Sequence, residues 1–246
     1  MVQQSLILNG GPLIGPDVVS VAKKGLAVSI GDEALQRMIA SRSTVEKAAA
    51  SSTPTYSINT GFGALSTTSI SNDELAHLQM NLLRSHAAGV GAPLPQVVVR
   101  GMMVILAGSL CRGFSGVRPV VAELIVKMLN ANVTPIIPSR GSVGASGDLA
   151  PLAHLALVLC GEGKAMLGDK EMPGKAAIAA AGLEPIVPSA KEGLALINGT
   201  HLMSSIATLA LGDIALICEA AVIATAMSID AAKATDTFLD DRLHAA

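Results

Sequence analysis

Three consecutive small residues, Ala145-Ser146-Gly147, carry the most specific chemical possibility in the chain. The amide nitrogen of a glycine is the least hindered backbone nucleophile, and here it lies two residues after the carbonyl of Ala145. Attack and loss of water would close a five-membered imidazolone. Loss of a second water from Ser146 would leave an exocyclic methylidene, a strong electrophile made without pyridoxal phosphate, flavin or metal. Gly141, Gly144 and Gly147 permit the tight bend that ring closure requires. Asp148 adjoins the ring and could move protons during cyclisation. A helix beginning just after it would aim its positive end at the site. On spacing alone, a glycine-rich turn feeding a helix accounts for the same residues. A phosphate loop does not, because no Gly-Lys-Ser or Gly-Lys-Thr follows. A nucleophile elbow fails because the second glycine is misplaced.

Other reactive side chains are few. Tyr56 is the single tyrosine. A phenol is protonated at neutral pH and needs neighbouring positive charge to act as a base. Its plainer role is that of a loop aromatic. Asn198 interrupts an apolar run, where Asn before Gly commonly makes a turn or cap. His77, His86, His154, His201 and His244 show no metal-ligand spacing, so no metal is expected. His86, in Arg84-Ser85-His86, suits either a helix cap or a hydrogen bond to a substrate ring. His201 is read as support for the Asn198 loop. Arg84, Arg100 and Arg118 are read as structural or intersubunit pairs. Cys111, Cys160 and Cys218 each sit in an apolar run and are expected to be buried free thiols in a reducing, cytoplasmic compartment.

The elements that must position these residues are mostly helices. Ser5 to Leu8 is strand-like and ends in turn residues. Asp32 to Ala50 is helical, and Tyr56 to Gly63 follows as a glycine-punctuated loop. Ser71 and Glu74 form a capping box for a helix from about Asn72 to Ala88. Gln96 to Cys111 and Pro119 to Asn130 are further helices, and Pro135 and Pro138 keep the next stretch extended. Leu149 to Leu159 carries Pro151 in its first turn. Pro173 to Ala181 and Ser189 to Ile197 are short helices, and a long apolar helix runs from about His201 to Lys233.

The chain has 246 residues and a formal net charge of −2, which gives no reason to expect nucleic acid or an anionic membrane as partner. Hydrophobic residues are 50% and charged residues 15%, which excludes disorder. There is no Trp, and Ala and Leu, strong helix formers, carry the apolar content. The expected fold is therefore all-α: a small mixed N-terminal region followed by part of a long helical bundle. It reads as a single region, about 1–140 holding the tyrosine loop and about 141–246 holding the Ala-Ser-Gly segment. Asp213 and Glu219 interrupt the longest apolar run, so a buried bundle helix is favoured over a membrane span. The abrupt end after that helix suggests that its bundle partners lie outside the chain.

Gly141 to Pro151 resembles the signature of the aromatic amino acid ammonia-lyase and aminomutase family, in which Ala-Ser-Gly cyclises to 4-methylidene-imidazole-5-one (MIO). Tyr56 to Gly63 resembles the family's tyrosine loop, and Leu196 to Thr200 its asparagine segment. The resemblance is colinear from about residue 5 and covers the N-terminal half of family members. It implies elimination of ammonia from L-histidine to give trans-urocanate. In it Tyr56 takes the substrate β-proton, Asn198 contacts the amino or carboxylate group, and the Ser85-His86 pair resembles the histidine-lyase version, although tyrosine aminomutases resemble the Arg84-Ser85-His86 segment too. The same cofactor acting on phenylalanine or tyrosine, as lyase or 2,3-aminomutase, is the alternative. A non-catalytic fragment or subunit of a split enzyme is another. The resemblance further implies a homotetramer and a C-terminal half that completes the site, so that the 246-residue chain alone is expected to be inactive.

Overall fold

The computed structural model describes residues 5–51, 53–61, 70, 72–146 and 149–245. Its elements in order are β1 (Leu6–Leu8), α1 (Gly15–Lys24), β2 (Val28–Ile30), α2 (Asp32–Ala49), α3 (Asn72–His86), β3 (Val90–Pro93), α4 (Gln96–Cys111) and α5 (Pro119–Asn130). There follow β4 (Val133–Pro135), β5 (Pro138–Arg140), α6 (Leu149–Leu159), β6 (Lys164–Leu167), β7 (Lys170–Pro173), α7 (Gly174–Ala180), α8 (Glu192–Ile197) and α9 (His201–Ala231). Helices dominate, as the composition requires. The strands form three small ribbons: β1 with β2 in parallel, β3 with β5 antiparallel, and β4-β6-β7 antiparallel. Ser71, half of the expected capping box, lies outside the described residues.

The centre of the molecule is α4. Its sequence is apolar on nearly every face, and the fold uses every face. Met102, Met103, Val104 and Ala107 have no exposed surface, and α1, α5 and α9 pack around them. Each large side chain buried this way is worth about 1.5–3 kcal/mol. The arginine in this helix is satisfied without an acid. Arg100 Nη1 donates to the Leu129 carbonyl (3.1 Å) and Asn132 Oδ1 (3.2 Å), and Nη2 donates to the Val21 carbonyl (3.2 Å). α6 is the second buried helix, with Leu152, Ala153, Leu155 and Ala156 at 0–1% exposure.

Where α9 crosses α4, the backbones come close. A Cβ on Gly101 would stand 2.3 Å from Ser205 Oγ, and that hydroxyl donates to the Val98 carbonyl at 2.7 Å. This seat holds only the first third of α9. Leu202, Ser205 and Leu209 are its buried residues. Further on, Leu216, Ile217, Val222 and Met227 are 66–70% exposed. The expectation of a helix buried deep in a bundle is therefore not met within this chain. The stretch Glu192–Ala231 is long and apolar enough to cross a membrane by length and composition, even though Asp213 interrupts it and forms an ion pair with Lys23 of α1. The same exposure corrects one thiol. Cys111 is buried and Cys160 partly so, but Cys218 is exposed, because nothing described covers its part of α9. Burial pushes the Cys111 thiol up to about 11 and Cys160 up to about 12.

Candidate active site

The β3–β5 ribbon delivers the Ala-Ser-Gly segment to its place. Val90 pairs with Arg140 and Pro93 with Pro138, so the chain leaving β5 passes directly over the exit of α3. Contact there is between backbones. A Cβ on Gly141 would meet the Gly89 Cα at 3.0 Å, and one on Gly89 would meet His154 Nε2 at 3.0 Å. A Cβ at either position would force its neighbour to give way by a few tenths of an ångström, so glycine suits this crossing. His154, in the second turn of α6, locks it: the Gly89 N–H donates to His154 Nε2 at 3.1 Å. That bond fixes Nε2 as an acceptor, so the neutral ring carries its proton on Nδ1. Burial lowers the His154 pKa and favours the same neutral form. One side chain thus joins α3, the β3–β5 ribbon and α6 around the segment. Histidine spacing gave no hint of this role, since the partner is a backbone amide 65 residues away.

Beyond Gly141 the chain lifts away from the core. Ala145 and Ser146 are exposed. Gly144 adopts φ +69°, a left-handed turn, and its N–H donates to Ser142 Oγ at 3.3 Å. A Cβ on Gly144 would lie 3.4 Å from Met203 Sδ in the first turn of α9. The loop therefore rests on the start of α9, three residues past the Asn198-Gly199-Thr200 segment. Gly147 and Asp148 lie outside the described residues. α6 begins at Leu149, with its N-terminus towards the loop, as the sequence predicts. The exposed pair, the left-handed glycine before it and the helix start behind it fit the requirements of an Ala-Ser-Gly ring. Ala145, Ser146 and Gly147 would supply that ring.

His86 and Asn198 stand at the ends of α3 and α8, two helices that pack against each other. His86 is the last residue of α3, and its Nδ1 lies 2.8 Å from the Leu82 carbonyl oxygen. A carbonyl can only accept, so Nδ1 carries a proton, and in the neutral ring Nε2 keeps the lone pair. The helix-cap role and the substrate role thus use different nitrogens. Asn198 is the C-cap of α8, its N–H donating to the Leu194 carbonyl at 3.0 Å, with its side chain exposed. His201 packs its ring over Gly199, where a Cβ would come within 2.4 Å of Nδ1. Among the described residues that buried nitrogen has no hydrogen-bond partner, and burial lowers the His201 pKa.

Tyr56 sits on a separate turn and is 55% exposed. Asn59 fixes that turn. Its Nδ2 donates to the carbonyls of Ala48, Ser51 and Thr53 at 3.0–3.2 Å, and its Oδ1 accepts the Thr55 N–H at 2.7 Å. Ile58 packs with Leu75 of α3 and Ala190 just before α8, so the turn stands on the elements that carry His86 and Asn198. Phe62 and Gly63 lie outside the described residues. The arginines follow their expected structural roles in part. Arg84 pairs with Glu162 (Nε to Oε2, 3.1 Å) and Arg118 with Glu192 (Nη2 to Oε2, 2.7 Å), whereas Arg100 has carbonyl partners and an amide. Among the described residues, no group of three His, Cys, Asp or Glu could hold a metal ion.

Comparison with known proteins bears on this geometry. The aromatic amino acid lyase family model matches residues 14–246. A histidine ammonia-lyase of Treponema denticola is 46% identical over 237 residues, 96% of this chain and 47% of that protein. The crystal structure of histidine ammonia-lyase from Trypanosoma cruzi superposes with a TM-score of 0.89 at 38% identity, covering 98% of this chain and 46% of that one. The phenylalanine aminomutase of Pantoea agglomerans gives a TM-score of 0.85 at 31% identity, over 92% and 44% of the two chains. The chain spans about half the length of the curated relatives it matches.

Proposed function

The chain belongs to the aromatic amino acid lyase family, and from that premise we propose that it forms part of an ammonia-lyase that converts L-histidine to trans-urocanate and ammonia. The observation that carries the choice of substrate is the His86 ring. With Nδ1 donating to the Leu82 carbonyl, Nε2 of the neutral ring is left as an acceptor at the end of α3, three residues before Gly89, against which Gly141 packs. An imidazole N–H or a phenol O–H satisfies that acceptor and an unsubstituted phenyl ring does not, which sets phenylalanine aside. The identity to histidine ammonia-lyases supports the same reading.

Ala145, Ser146 and Gly147 would form the MIO ring, with Asp148 assisting its formation, and the ring would supply an electrophile for the amino group. The chain's own residues do the rest. Asn198 holds the amino or carboxylate group at the loop. His86 accepts a hydrogen bond from the substrate ring. Tyr56 takes a proton from the β-carbon as the C–N bond breaks, and ammonia departs. The N-terminal dipole of α6 favours negative charge developing at the loop. The exposed face of α9 is to be covered by a C-terminal half and by further subunits of a homotetramer, and turnover requires that half.

The test is product identity. The complete enzyme is given histidine, phenylalanine and tyrosine separately, and products are separated and identified. Urocanate from histidine at the highest kcat/KM supports the reading. Cinnamate, coumarate or a β-amino acid as the dominant product moves the assignment to another branch of the family.

A further inference from the structure

We infer that Glu192 is a positioning residue for the reaction proposed above, holding Asn198 at the loop, with Gln79 as a second anchor. The inference rests on the lyase reading. α8 is six residues long, too short to be stable by itself, yet Asn198 hangs from its C-terminal end. What fixes α8 is its first residue. The Glu192 side chain has no exposed surface. One carboxylate oxygen accepts from Arg118 N and Arg118 Nε, both at 2.9 Å. The other accepts from Arg118 Nη2 at 2.7 Å and Ser189 N at 2.8 Å.

Arg42 closes the arrangement from α2. It lies 3.9 Å from the same carboxylate and donates to the carbonyls of Gly116 and Ala190 and to Ser189 Oγ. One residue after Glu192, the Gly193 N–H donates to Gln79 Oε1 at 2.8 Å. Gln79 lies seven residues before His86, two turns along the same face of α3. The helix that carries His86 therefore also grips the helix that carries Asn198. A buried ion pair is a weak stabilising device, because desolvation consumes most of its attraction. Its contribution here is geometric: it fixes the start of α8 against α5, while the Gln79 bond fixes it against α3.

A double-mutant cycle in the complete enzyme decides between positioning and plain structural support. Glu192→Gln keeps the size and removes the charge that orders its four donors. It is expected to lower kcat/KM by about 10²-fold, the scale of a ~1 Å misplacement in a reacting site. Added to Asn198→Ala, it should cost little more, since it acts through Asn198. Multiplicative losses in the double variant overturn the inference. If Glu192→Gln does not fold, Gln79→Leu runs the same cycle with the same two outcomes. A wild-type enzyme inactive on all three amino acids sinks the lyase reading and this inference with it. An active wild type with multiplicative losses sinks this inference alone.

Discussion

At the scale of single residues, groups that react are distinct from groups that hold them. Tyr56 is exposed while its turn is tied down by the buried Asn59, the arrangement of a reactive group on a fixed support. Tyr56→Phe keeps the ring and deletes the titratable proton, so turnover should fall by about 10² to 10⁴, the range of a general acid–base group. Single-turnover kinetics measure it, and a loss below about tenfold would return Tyr56 to a passive role. His86 offers a smaller effect. His86→Leu removes one hydrogen bond of about 1–1.5 kcal/mol and should cost histidine about tenfold in kcat/KM. Steady-state kinetics with histidine and phenylalanine in parallel check this. The loss should be confined to histidine; an equal loss on both would mean that His86 serves the helix end alone.

At the scale of elements, close approach sets the positions. α8 meets α3 at Gly193, where a Cβ would stand 2.7 Å from Gln79 Oε1 and 3.0 Å from the Gln79 backbone oxygen. Gly193→Ala should therefore cost about 1–3 kcal/mol by overpacking. In a chain of this size that is a fall of about 2–12 °C in melting temperature, readable by circular dichroism. The same contacts show what was legible in the sequence. α4, α5 and α6 begin and end at the predicted residues, because Pro119, Pro151 and the flanking glycines punctuate long apolar runs. The ribbons of β3 to β7 were not legible. Each strand has three or four residues, too few to show alternation, and their pairing depends on backbone crossings such as Gly89 over Gly141. α1 carried signals of its own: Pro16 in its first turn, Lys23 and Lys24 in its last, and Gly25 in the left-handed C-cap. The reactive segment was legible from its chemistry alone. Glu192, Gln79, Asn59 and His154 were not, since each works through a partner that only the fold supplies.

At the scale of the whole molecule, buried titratable groups set the response to acid. Burial lowers the pKa values of His154 and His201, so both stay neutral in the fold after the unfolded chain has begun to take protons near pH ~6.5. Stability must fall as pH drops below that point. Glu192 acts lower down. Burial alone would raise its pKa, but the hydrogen bonds from the Arg118 side chain and from the Arg118 and Ser189 amides outweigh it and hold the carboxyl below the usual range. Its contribution is present above the unfolded carboxylate value of ~4.3 and is lost as pH falls through the folded value. Thermal melts should thus be level from about pH 7 to 8, decline below ~6.5 and steepen below ~4.3, and decline again above ~8.5, where the unfolded chain ionises the thiols that burial keeps protonated in the fold. His154→Gln should flatten the first decline, whereas a melting temperature that rises between pH 7 and 5 would contradict this ledger of protons. The central claim, that Ala145-Ser146-Gly147 becomes an electrophilic ring, is tested most directly by the intact mass of the folded, complete enzyme. The account predicts a mass below the sequence value by about two water molecules, one for closure at the unhindered Gly147 nitrogen and one for dehydration of Ser146. It predicts that Ser146→Ala loses the dehydration step and the activity. A folded wild-type protein at its full sequence mass would contradict it.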